Sequence, residues 1–253
     1  MTANIDIKHF LKQTQFKQIV QQILPAPLYK HLHKKWLGVG MVNFGSLRRT
    51  TPISPIYGFE RGQPIDRYYG ENFLTRHAAD IRGHVLEIGD AAYTRQFGGD
   101  KVTKSDVLHV CEGNPQATII GDITNAPQIP DNTFDCFILY QTLQLIYDLP
   151  AAIKTVHRIL KPGGVVLVTI PGIIQIADQE WANYWYWSFT SLSAQRLFAE
   201  CFLSEKIQVE TCGNVLSAIS ALSGLATEEL RKKELDVCDP RYQLTINLRA
   251  VKE

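Results

Sequence analysis

The sequence is short of most features that mark a specialised class. Its five cysteines (Cys111, Cys136, Cys201, Cys212, Cys238) are scattered through 253 residues and form no C-x-x-C pair. That pattern supports neither a disulfide framework nor a zinc site, and it suits a reducing compartment. Charge of one sign is missing too. With 26 Lys and Arg against 25 Asp and Glu, the net charge is +1, so nothing in the total supports a nucleic-acid partner. The most apolar stretch, Val165 to Ile176, is too short to span a bilayer and is broken by Pro171 and Gly172. After Met1 the chain runs to Asp6 and Lys8, where a cleaved leader would have an apolar core. There is no repeat, no low-complexity tract, no H-x-x-x-H pair and no carboxylate cluster at ligand spacing, so no metal is expected. The expectation is a soluble cytoplasmic protein without stable membrane insertion.

Positive charge is nevertheless gathered at one end. Up to Glu60 there are eight basic residues (Lys8, Lys12, Lys17, Lys30, Lys34, Lys35, Arg48, Arg49) against Asp6 and Glu60, about +6. Within it, Ile5 to Leu24 spaces apolar residues as an amphipathic helix that stops at Pro25 and Pro27, and His31 to Gly40 suits a second short helix. Arg48 to Asp66 is rich in Pro, Gly and Thr and reads as an extended arm. Asp66 to Ile81 looks helical, with Tyr69, Phe73 and His77 on one face.

From His84 the pattern becomes strand and helix in alternation. Apolar runs at 85–88, 106–110, 117–120, 134–140, 165–170, 207–211 and 244–251 read as seven strands, the last two separated by a long irregular stretch. Amphipathic segments at 150–160 and 191–202 read as helices. The expected fold is α/β: a doubly wound, seven-stranded, mostly parallel sheet with an N-terminal helical extension. Residues 1–65 would form the extension and arm, and 66–253 the α/β domain.

Four short segments bear on chemistry. Val85-Leu86-Glu87-Ile88-Gly89-Asp90-Ala91 ends a buried strand in small residues, where a ligand can lie against backbone in the default crevice of an open parallel sheet. Gly121-Asp122-Ile123 places a carboxylate after another strand, although a turn or cap is the plainer use of such an Asp. Ile129-Pro130-Asp131-Asn132-Thr133-Phe134-Asp135 launches a buried strand. Leu160-Lys161-Pro162-Gly163-Gly164 reverses a helix into the next strand.

In this order the segments resemble the class I S-adenosylmethionine-dependent methyltransferases, whose pattern runs V-L-E-I-G, G-D, P-x-x-x-F-D and L-K-P-G-G. The resemblance covers about three quarters of the chain, from Asp66 onward. It is closer still to uncharacterised bacterial methyltransferase-like proteins, some of them beside or fused to glycosyltransferases. Shared with those are Pro64-Ile65-Asp66-Arg67-Tyr68-Tyr69, Ile81-Arg82-Gly83, Asp106-Val107-Leu108-His109, Gly213-Asn214-Val215-Leu216 and Arg249-Ala250-Val251-Lys252.

The resemblance implies S-adenosylmethionine as cofactor and S-adenosylhomocysteine as product. It implies that Glu87 and Gly89 frame the methionine and ribose, with Asp90 and Ala91 in the turn. Asp106 would hold the ribose hydroxyls, with Glu112 as the fallback, and Asp122 would meet the adenine amino group with Ile123 on the ring. Tyr140 and Gln141 would face the methyl donor, and Tyr69 is a further cofactor candidate. Two departures stand out. The usual second and third glycines are Ala91 and Tyr93, and the usual L-E-H appears as Leu143-Gln144-Leu145, without a histidine.

Displacement at a sulfonium needs mainly a positioned nucleophile and the exclusion of water. Trp181, Trp185 and Trp187 are available to grip an acceptor or to cover core. Catalytic candidates are Tyr140, Gln141 and His77, none with a decisive signature. The leading expectation is metal-independent methyl transfer to an oxygen of a small molecule, sugar or modified peptide. The rivals are N-methylation of an amine or guanidine and a silent methyltransferase-like module that serves another enzyme. A nicotinamide dehydrogenase fails on Gly89-Asp90-Ala91-Ala92-Tyr93-Thr94, which is not G-x-G-x-x-G. Three roles are open to the basic N-terminal section: a lid over the acceptor, a homodimer contact or a helix on a membrane surface. The helical lids common in this fold favour the first.

Overall fold

The computed structural model describes residues 25–29, 43–176 and 182–253. The expected helices over 5–24 and 31–40, and Trp181, lie outside the described residues. The chain divides into two compact units, Met1–Thr50 and Thr51–Glu253. In the first, the described residues include a helical turn at 26–29 and another at Gly45–Leu47.

The second unit holds the sheet: β1 (Gly83–Ile88), β2 (Val102–His109), β3 (Ile119–Ile120), β4 (Phe134–Tyr140), β5 (Leu160–Pro171), β6 (Ile207–Cys212) and β7 (Thr245–Val251). Its spatial order is β3-β2-β1-β4-β5-β7-β6. β1 to β5 run parallel, and β7 is antiparallel to both β5 and β6. The helices are α1 (Ile65–Arg76), α2 (Leu149–Ile159), α3 (Ser191–Phe198), α4 (Val215–Leu222) and α5 (Lys232–Leu235).

Alternation along β4 sorts its side chains between two layers. Phe137 and Leu139 join Ala152, Ile153 and Val156 of α2 and Phe198 of α3 on one face. Cys136 and Ile138 meet Phe73 and Leu74 of α1 on the other. A strand buried on both sides has to be apolar throughout, which is why 134–140 carries so little polar character. α2 starts where Asp148 accepts a hydrogen bond from the Ala151 amide, with Pro150 in its first turn. α3 starts on a Thr190–Ser193 capping box.

Two stretches differ from expectation. α1 ends at Arg76, and 77–81 turn back toward β1. The stretch between β6 and β7, expected to be irregular, contains α4 and α5. The arm at 51–64 belongs to this unit and is pinned there. The Ile53 amide donates to the Ser223 carbonyl at 2.8 Å, Pro64 bridges Ala226, and Arg61 pairs with Glu229.

Candidate active site

Strand order reverses between β1 and β4: β2 continues on one side and β5 on the other. Their carboxyl ends therefore diverge and leave a crevice. At the β1 side the chain turns at Gly89 with φ +82, and a Cβ there would meet nothing within 4 Å. Glycine is needed for the left-handed backbone, and the space beside it is open. Beneath the turn, Glu87 is buried and accepts hydrogen bonds from the Tyr93 amide (3.1 Å), the Thr94 amide (2.8 Å) and the Thr94 hydroxyl (2.7 Å). Burial pushes this carboxyl above its ordinary value against the pull of those donors. Asn114 steadies the turn from outside, donating to the Gly89 carbonyl at 2.5 Å.

At the β4 side Gln141 has φ +46, a left-handed conformation costly for any residue with a Cβ. Its amide donates to the Thr169 carbonyl at 2.9 Å, which holds it against β5. Gln144, 2% exposed, donates through Nε2 to the Gln141 carbonyl at 2.8 Å, and its own carbonyl accepts from the Tyr186 amide. Tyr140 points to the α1 face. Its ring lies 4.3 Å from that of Tyr93 and directly against the backbone of Gly70. Burial raises both phenols, Tyr140 to well above the ordinary tyrosine value.

Between these edges lies a cleft of about 400 Å³. Glu87, Ile88 and Asp90 line it from β1, and Tyr140, Gln141 and Gln144 from β4. α1 contributes Asp66 and Arg67, the arm Tyr57 and Phe59, and the remaining wall is Tyr93, Ile174 and Trp185. Burial raises the Asp66 carboxyl, and the amide hydrogen bonds at the helix start only partly oppose it. The Arg67 guanidinium sits over the Phe59 ring, 5.0 Å from its centroid. The arrangement can enclose a small polar ligand among rings and three carboxylates, of which burial raises Asp66 and Glu87.

Residues 70–168 match the family described as a methyltransferase domain. The ubiquinone/menaquinone biosynthesis C-methyltransferase of Haemophilus ducreyi is 41% identical over 56 residues, 20% of this chain and 22% of that protein. Phosphoethanolamine N-methyltransferase 3 of Arabidopsis thaliana is 26% identical over 148 residues, 54% of this chain and 27% of that protein. The chain thus spans about a quarter of the length of these curated relatives. A solved SAM-dependent methyltransferase from Archaeoglobus fulgidus superposes with a TM-score of 0.51 at 11% identity, covering 74% of this chain and 94% of that one. That likeness is one of fold.

Of the residues expected from sequence, Glu87, Asp90, Tyr140, Gln141 and Trp185 line the cleft. Gly89 and the buried Ala91 shape its turn. Asp106 does not reach it. β2 begins at Val102, earlier than the apolar run suggests, so Asp106 falls inside the strand. There its carboxylate meets His84 Nε2 (2.5 Å), Thr118 Oγ1 (2.8 Å) and Lys104 Nζ (3.0 Å). Burial works against that carboxylate, yet these partners hold it below its ordinary value. Glu112, in the turn after β2, is the exposed acid nearer the carboxyl edge.

Tyr69 is buried between α1 and α5 with its hydroxyl on the Leu235 carbonyl at 2.9 Å, and burial pushes its phenol up to about 12. His77 caps the end of α1, eleven residues from Asp66 or roughly 16 Å at 1.5 Å per residue, and its ring lies tilted against that of Phe73 beside Asp80. Asp122 is exposed after β3 and accepts from the Thr124 amide at 2.8 Å, while Ile123 packs into the core. Trp187 donates to the Ile146 carbonyl at 2.9 Å and is not part of the wall. Sequence reasoning named Asp66 and Arg67 only within a shared segment, without a role, and passed over Tyr57 and Phe59 altogether. It weighed Tyr93 only as a missing glycine, and Gln144 only as the middle residue of Leu143-Gln144-Leu145. Among the described residues no group of His, Cys, Asp or Glu could hold a metal, and no helix is long and apolar enough to cross a membrane.

Proposed function

We propose that this chain is an S-adenosylmethionine-dependent methyltransferase acting on an oxygen of a small-molecule acceptor. The observation that carries the reading is the open backbone at Gly89, facing the left-handed Gln141 across the crevice where strand order reverses. The residues present fit the cofactor. A side chain at 89 would fill space that Gly89 leaves free, and several buried polar atoms around the cleft have no protein partner. Gly89, Asp90 and Glu87 would hold its amino-acid end, and Glu112 and Asp122 are the exposed acids available to its ribose and adenine.

When bound, the cofactor supplies a methyl group on a sulfonium, already activated for displacement. The chain's own part is placement and proton management. Tyr93, Tyr140, Phe59 and Trp185 exclude water and present ring faces that favour positive charge. Asp66, its carboxyl raised by burial, is the proton acceptor for an acceptor hydroxyl. Tyr140 is too weak an acid to exist as phenolate near neutrality, and His77 is too far along α1 to serve. Transfer to nitrogen is the second reading, which the N-methyltransferase relative favours.

Incubation with methyl-labelled S-adenosylmethionine and pools of small hydroxylated compounds tests the proposal. Label should move into a small molecule, and Asp66→Asn should slow that transfer about 100-fold or more while S-adenosylhomocysteine affinity stays within about threefold. Equal rates in Asp66→Asn would remove Asp66 from proton transfer, and label confined to amines would move the reading to nitrogen.

A further inference from the structure

Among the described residues nine buried side-chain polar atoms have no hydrogen-bond partner, and five belong to residues that line the cleft. Buried polar groups in folded proteins are nearly always satisfied, so such a concentration in one place needs an explanation. Two of the five, the hydroxyls of Tyr93 and Tyr140, sit together on the α1 side. The other three are Gln141 Nε2, Gln144 Oε1 and Trp185 Nε1, from the turn after β4 and the segment after β5.

These three are held by the backbone. Gln141 is fixed by its bond to Thr169 and its left-handed turn. The Gln144 amide is oriented by the Nε2 bond to the Gln141 carbonyl, which leaves Oε1 as the unpaired end. Trp185 is followed directly by Tyr186, whose amide is tied to the Gln144 carbonyl. The set is therefore two donors and one acceptor, all uncharged, beside an indole face.

We propose that Gln141, Gln144 and Trp185 form the acceptor subsite and select an uncharged, polyhydroxylated molecule such as a polyol or glycoside; this rests on the methyltransferase reading above. A hydroxyl both donates and accepts, so neighbouring hydroxyls can give a proton to Gln144 Oε1 while taking one from Gln141 Nε2 or Trp185 Nε1. An ammonium satisfies Gln144 and leaves both donors stranded. A carboxylate satisfies the donors and faces the Gln144 oxygen lone pairs. Leaving buried partners unpaired is the strongest discrimination a binding site has.

Saturation-transfer NMR on the full chain saturated with S-adenosylhomocysteine tests this, with methyl β-glucopyranoside, ethanolamine and glycolate as probes. The glycoside should receive the strongest transfer. That signal should fall at least fivefold in Trp185→Phe, which keeps a ring and removes Nε1, and in Gln144→Met, with S-adenosylhomocysteine affinity within threefold of the parent in both. Stronger transfer to ethanolamine or glycolate, no transfer to any probe, or a glycoside signal unchanged in both variants would overturn the subsite. Failure of S-adenosylhomocysteine to bind the parent would overturn the cofactor reading beneath it.

Discussion

Gly70 stands in the middle of α1, where alanine is worth up to about 1 kcal/mol more in helix propensity. A Cβ there would lie 2.5 Å from the Tyr140 hydroxyl and 2.7 Å from its ring, and Tyr93 flanks the same ring at 4.3 Å. Gly70→Ala should therefore destabilise the protein by about 1–3 kcal/mol in urea unfolding, against its propensity; a stabilised variant would mean that the ring is not held there. Reading the cleft from sequence worked where the signal is local. A strand running into Gly89 marks Glu87 and Asp90, and the end of an apolar run marks Tyr140 and Gln141. Asp106 and Tyr69 illustrate the opposite case. Whether a residue lies at a strand's end or inside it, or which side of a helix meets a cleft, depends on register, and Asp66 and Arg67 differ from Tyr69 only in that. Tyr57 and Phe59 reach the wall through packing of the arm, which leaves no periodic trace.

Between β6 and β7, Asn214 joins two helices through one side chain. Its Oδ1 accepts from the Leu216 and Ser217 amides at 3.0 Å each, and its Nδ2 donates to the carbonyls of Glu234 (2.7 Å) and Val237 (2.9 Å). Asn214→Ala should cost about 2–3 kcal/mol, and Asn214→Asp about half that, since it keeps the cap and loses the donors. Urea midpoints for the two variants check the order. α4 exposes Val215, Leu216, Ile219 and Leu222 and buries Ser217 and Ser220, and α5 has only four residues, so no apolar stripe marks this stretch and it read as irregular. In contrast, the apolar stripe over 150–160 announced α2.

A second tie joins β7 to the turn before β1. Arg249 donates to both oxygens of Asp80 at 2.8 and 2.9 Å. Burial works to raise the Asp80 carboxyl, but the guanidinium outweighs it and the value is lowered. A lowered folded value means stability that is fully present above the unfolded carboxyl value of about 4 and drains as pH falls through the folded one. Arg249→Met should lose about 2 kcal/mol at pH 7 and show a flatter decline in stability between roughly pH 5 and pH 2 than its parent. Parallel curves for the two proteins would contradict the assignment.

At the scale of the molecule, alternation of apolar runs with amphipathic segments was enough to read a parallel sheet covered on both faces. The reversed direction of β7 is not visible in any local pattern, because it follows from the chain turning back to fill the place between β5 and β6. The sheet order matters to function through one consequence: it parts β1 from β4 at their carboxyl ends and sets Gly89 opposite Gln141. The central claim is that S-adenosylmethionine binds there. Titration calorimetry with S-adenosylhomocysteine, on the parent and on Gly89→Val shown by circular dichroism to be folded, tests it most directly. The account predicts saturable one-to-one binding by the parent, weakened at least about tenfold, or 1.4 kcal/mol, in the variant. No binding by the parent, or equal affinity in a folded variant, would contradict it.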